Sequence, residues 1–202
     1  MCEHGAVSRT TILVLVALGA ALAGFAFSTA ARQLQDEEPT ANASVAAGPQ
    51  TAQLGWRETH GSPSEQLVFS VEWLQVVPGG WRVRLELENR SSVAFALGDP
   101  RATLNRSFGL MLFSTGRIEE LTEQNEGGTL PAVRPAVKYE PGLPPILEPD
   151  ASWEGTISAP GALAAGSWVR VVFGALVSVG NPPEELGESI VWITDRAYRL
   201  KA

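Results

Sequence analysis

Beyond residue 65, hydrophobic and polar positions alternate in several short stretches, the period of a strand with one buried face. Leu67, Phe69, Val71 and Trp73 are spaced by Val68, Ser70 and Glu72. After the turn signal Pro78-Gly79-Gly80, Trp81, Val83, Leu85 and Leu87 face one way and Arg82, Arg84, Glu86 and Glu88 the other. This predicts an antiparallel hairpin with one core face and one solvated face. Further strands are predicted at 93–97, 108–113 and, after Thr115-Gly116, at 118–121. Residues 122–145 carry five Pro and three Gly and read as a long loop without regular structure. Trp153, Gly155, Ile157 and Ala159 share a face, and 168–179 is a near-continuous apolar run suited to a central strand. Asn181-Pro182-Pro183 breaks that run, and Ile190 begins the last strand, extended by Tyr198 and Leu200. The sum is about seven to nine short strands over roughly 140 residues and no helix, an all-β antiparallel sandwich or barrel. Trp73, Trp81, Trp153, Trp168 and Trp192 are expected in its core.

The start of the chain follows a different pattern. Between Arg9 and Arg32 lie 22 residues without formal charge, with Ile12 to Leu18 as the apolar heart. As a helix they rise about 33 Å, enough for the hydrocarbon layer of a bilayer. Residues 10–31 are expected to meet the membrane as an anchor or a signal peptide, the run being longer than most signals and so favouring the anchor. Residues 1–9 form a short cytoplasmic tail, and either reading places the rest outside the cytoplasm, secreted if the leader is cleaved. Cys2 precedes the apolar run and is read as an ordinary thiol rather than a lipid site. Residues 32–64 hold few large apolar side chains and read as a flexible spacer, with 54–58 as a candidate edge strand or docked arm. The β-rich domain is placed at 65–202.

Two stretches carry a family likeness. Leu85-Glu86-Leu87-Glu88-Asn89-Arg90-Ser91 resembles the strand, asparagine and small polar turn of bacterial extracytoplasmic immunoglobulin-like domains of the telokin-like type. Leu147-Glu148-Pro149-Asp150-Ala151-Ser152-Trp153-Glu154-Gly155 is similar to their leucine-proline-glycine turn before a late strand, with Asp150 where glycine is usual. The resemblance implies an immunoglobulin-like β-sandwich behind a single signal or anchor segment, and no shared enzymatic activity.

Composition narrows the chemistry. One Cys leaves no internal disulfide or cysteine-built zinc site, and His4 and His60 are the only histidines. A net charge of -7 without a basic stripe argues against nucleic-acid binding. His60 reads as a solvated loop residue rather than a catalytic base. The carboxylate groups Glu119, Glu120, Glu123, Glu126 and Glu184, Glu185, Glu188 lack the spacing of a compact calcium loop. The sequons at Asn42, Asn89 and Asn105 read as turn asparagines. No residue is assigned a catalytic, cofactor-binding or metal-binding role.

The expected function is therefore a non-enzymatic, membrane-tethered extracytoplasmic domain that binds a protein or cell-envelope partner. Its expected contact surface is an exposed sheet edge or the 122–145 loop, whose removal is expected to weaken capture and leave folding intact. The alternatives are a cell-envelope hydrolase using loop carboxylates and a purely structural surface spacer.

Overall fold

The computed structural model describes residues 45–97, 108–184 and 186–202. The tail, the apolar segment 10–31 and the acidic start of the spacer lie outside them. Among the described residues no helix is long and apolar enough to cross a membrane.

Every described strand pairing is antiparallel, and the strands form two sheets. The first contains β1 (Gln50–His60), β2 (Leu67–Val77), β3 (Gly80–Asn89), β9 (Ser152–Pro160) and β7 (Lys138–Glu140), in that spatial order. The second is built on β10 (Trp168–Val179). Along one flank β10 pairs first with β5 (Gly109–Phe113) and then with β4 (Ala94–Leu97). Along the other it pairs with β12 (Tyr198–Arg199) and β11 (Ser189–Ile193). Short strands β6 (Arg134–Pro135) and β8 (Ile146–Leu147) border β5 and β4. The run 168–179 is thus the central strand that its apolar composition predicts.

The two sheets enclose one core. Phe69, Leu85, Leu87 and Ile157 of the first meet Leu110, Val171, Phe173 and Leu176 of the second. The Phe69 ring stands edge-on to Phe173 at 5.0 Å and lies parallel to Trp192 at 4.9 Å. Such aromatic pairs add about 0.5–1.5 kcal/mol each beyond their buried area. On β9 the Trp153 indole lies where a Cβ on Gly155 would stand, so this position has room for glycine alone.

Several expectations need correction. The spacer does not extend to 64: β1 pairs with β2 from Gln50 opposite Val76 to His60 opposite Leu67, interrupted only by a bulge at Leu54-Gly55. An edge strand buries one face only, and Ala52 and Trp56 with the backbone ladder suffice where composition alone suggests a linker. Trp73 leaves the core. The register shifts between Val71 and Trp73 and, on the neighbouring strand, between Gln53 and Trp56. One inserted residue flips everything beyond it to the other face. Leu74 and Val76 therefore point inward, and Trp73 shares the solvated face of its partner Arg84.

The predicted strand at 118–121 is instead the start of helix α1 (Ile118–Glu126). Ile118 and Leu121 are one helical step apart, Glu119 and Glu120 occupy the first turn, and Gly127-Gly128 ends the helix. With only two apolar positions, strand and helix periods are hard to separate. The 122–145 stretch is correspondingly more than a loop, holding most of α1 as well as β6 and β7. Leu121 and Val133 cover Met111, Phe113 and Val172 on the outer face of the second sheet, and Trp168 packs there too. Removing 122–145 takes away most of α1 and Leu130 and Val133 of this second core, so the deletion is expected to cost stability as well as capture, which urea unfolding of the deletion variant checks.

Candidate functional site

Two buried polar centres organise the loops. Asn89 ends β3 and is fully buried. Its Nδ2 donates to the carbonyls of Val93 (2.8 Å), Leu147 (3.2 Å) and Glu148 (3.0 Å). Its Oδ1 accepts from the Ser91 N–H and hydroxyl at 3.0 and 2.7 Å, and its own N–H donates to Ala151 O. The side chain thus ties the first sheet to the turn that leaves the second. The two stretches of the family likeness meet here, and Asp150 adopts φ 58, the left-handed conformation that glycine takes most readily. The amide that a glycan would occupy at the Asn89 sequon is spent on these bonds.

The second centre lies under α1. Arg170, in mid-β10, is fully buried on the outer face of the second sheet, with its guanidinium 5.3 Å from the Phe113 ring centre. Nη1 donates to the carbonyls of Thr194 (2.7 Å) and Asp195; Nη2 donates to those of Gly116 (3.2 Å) and Arg117 (2.9 Å). Burial lowers its pKa from the ordinary arginine value, against the pull of Asp195, Glu58 and Glu120. Glu58, on β1, accepts from Trp192 Nε1 (2.8 Å) and from the N–H groups of Asp195 (3.0 Å) and Arg196 (3.2 Å). This closes the sandwich along one side. Arg170 interrupts an otherwise apolar run, and that charge was the available signal for a buried staple.

Glu120 is the helix counterpart. Its carboxylate accepts from the hydroxyls of Ser114 (2.5 Å) and Thr115 (2.6 Å) and from the Thr115 N–H (2.9 Å). Burial pushes its pKa up, but these bonds outweigh burial and hold it below the usual carboxylate range. A lowered folded pKa contributes stability that is present above the unfolded value and lost as pH falls through the folded one. Glu120→Gln is therefore expected to be less stable than the native protein at pH 7. The gap should narrow below about pH 4.3, which paired thermal melts across pH will show.

Beside α1 lies an open groove of about 320 Å³. Ile118, Leu121 and Thr122 form one wall and Val191, Trp192 and Ile193 of β11 the other. Among the described residues β11 pairs with β10 alone, so its second edge is open. It is also the least protected edge. β1 is broken by the bulge at Gly55 and carries Arg57; β6 has Arg134-Pro135, β7 has Lys138 and Glu140, and β8 and β12 are two residues long. Ser189-Ile190-Val191-Trp192-Ile193 has no charge or proline of the kind that blunts an edge; its ladder with β10 shifts register between Phe173 and Leu176, the extra residue lying on β10.

A second depression, about 300 Å³, sits over the bulges on the solvated face of the first sheet. Glu72, Glu86 and Glu154 border it, but Arg84 pairs with Glu154 at 2.7 Å and Glu72 at 3.8 Å. Both of those carboxylates are more than half exposed, at 62% and 56%. These are surface ion pairs, worth about 0–1 kcal/mol each.

The residues weighed from sequence fall elsewhere. His60 ends β1 rather than a loop, half-buried with its ring 5.5 Å from that of Trp192. Glu119, Glu123 and Glu126 are exposed on α1, while Glu120 is spent on the helix start. Glu184 and Glu188 are exposed in the connection to β11. Glu185, Cys2, His4, Asn42 and Asn105 lie outside the described residues. Among the described residues no three His, Cys, Asp or Glu side chains converge to hold a metal ion. The chain matches no protein-family model, no curated protein and no solved structure.

Proposed function

We propose that this chain is a binding domain rather than an enzyme, immunoglobulin-like in kind and carried outside the cytoplasm behind the hydrophobic segment 10–31. It engages a protein or cell-envelope partner at the open edge of β11 beside α1. The unprotected edge is the observation that carries this reading, since an unpaired row of backbone groups next to a groove is a template for another chain. It joins the two surfaces that the sequence singles out, a sheet edge and the 122–145 stretch. The apolar leader and the likeness to telokin-like extracytoplasmic domains support the location.

The test is site-specific photocrosslinking of the full chain in its native membrane. A photoreactive residue at Thr122 or Val191 is expected to yield a discrete adduct that disappears when Ile193→Lys is added. The same residue at Lys138 or Gln75, on the other sheet, is expected to yield none. Equal adducts from all four positions, or adducts untouched by Ile193→Lys, would overturn the proposal.

A further inference from the structure

We infer that the occupant of the β11 edge is an extended, cationic peptide segment, adding as a strand with a Lys or Arg side chain over the last turn of α1. This rests on the reading of β11 as the binding edge and adds the chemistry of what it binds. Among the described residues the groove is lined by Glu126 and Asp195 and by no basic side chain. Along α1, Glu119, Glu123 and Glu126 are exposed, and the described ion pairs include none of them. The last turn of α1 has no basic residue, so Glu123 and Glu126 stand at the negative end of the helix dipole without compensation. Among the described residues, Arg117 and Arg196 belong to the other end, where α1 begins and Arg170 joins the carbonyls of Arg117 and Thr194. Negative potential is therefore concentrated at the far end of an edge whose own residues are uncharged. A second copy of this chain is a poor complement, because it brings the same acidic helix and a net charge of -7. An extended segment with alternating apolar side chains and a cation satisfies the open backbone row, the apolar walls and the uncompensated carboxylates together.

The experiment selects from a displayed library of short random peptides, with acidic and basic residues equally frequent, on the full-length protein in detergent micelles. The enriched sequences are expected to carry an excess of Lys or Arg beside alternating apolar positions. The best of them, synthesised, is expected to protect the amides of 189–193 from exchange and to lose binding on Val191→Lys. Glu123→Gln with Glu126→Gln should weaken it about fivefold, while Glu72→Gln on the opposite sheet leaves it unchanged. Peptides that need Val191 but show no basic excess would overturn this inference and leave the binding edge standing. Peptides indifferent to Val191→Lys would remove both. Concentration-dependent dimerisation abolished by Val191→Lys would replace the cationic segment with a second copy.

Discussion

Replacing Arg170 by methionine is expected to destabilise the domain by about 2–4 kcal/mol, with the loss concentrated around α1. Methionine suits the apolar part of the site, among Met111, Phe113 and Val172, so packing alone predicts a small effect. The larger effect comes from four carbonyls, those of Gly116, Arg117, Thr194 and Asp195, which lose one donor fork together. Two belong to the entry of the helix and two to the exit of β11, so one side chain holds both walls of the groove. Arg170→Lys is expected to cost nearly as much, because a single ammonium cannot span the two pairs that a planar guanidinium reaches. Urea unfolding gives the total, and hydrogen exchange over 118–126 shows whether α1 loosens first. A methionine variant as stable as the native protein would mean that desolvating the charge cancels its bonds, as for some buried ion pairs.

The second large effect is expected at Asn89. Asn89→Ala leaves Leu147 O and Glu148 O without their side-chain donor and removes the acceptor for Ser91, a loss of about 3–5 kcal/mol at a fully buried site. Asn89→Asp separates donor from shape. Its carboxylate faces the carbonyls of Val93, Leu147 and Glu148, which raises its folded pKa above the unfolded value near 3.9. A raised acid is the reverse of Glu120: relative to the native protein, the variant keeps most stability at low pH and loses it as pH rises above about 4. Thermal melts of both variants from acid to neutral pH check this. An aspartate variant whose stability relative to the native protein rises with pH through that window would exclude the three-carbonyl geometry.

Much of the sandwich was legible because a solvated sheet writes its faces into alternate positions. β3 reads off Trp81 to Glu88 without an error, and β10 reads off its continuous apolar run. The errors have physical causes. Bulges at Gln53/Trp56 and Val71/Trp73 change which face a residue takes without leaving a mark in the alternation, and so alternation alone puts Trp73 in the core. α1 offers two apolar residues, too few to separate the periods. β1 resembles a linker because an edge strand needs few large side chains. The groove is half visible in the sequence: a sheet edge and the 122–145 stretch both stand out, but their adjacency depends on Arg170, which joins residues far apart in the chain.

By itself the sequence determined the antiparallel architecture and the central strand, since each follows from the periodicity or length of a local run. Tertiary structure decided which edge stays open, that Asn89 and Arg170 are buried staples, and that Glu120 serves a helix start rather than an acidic site. Those roles depend on carbonyls and hydroxyls supplied by other segments, and a polar side chain carries no local sign of which distant groups will surround it.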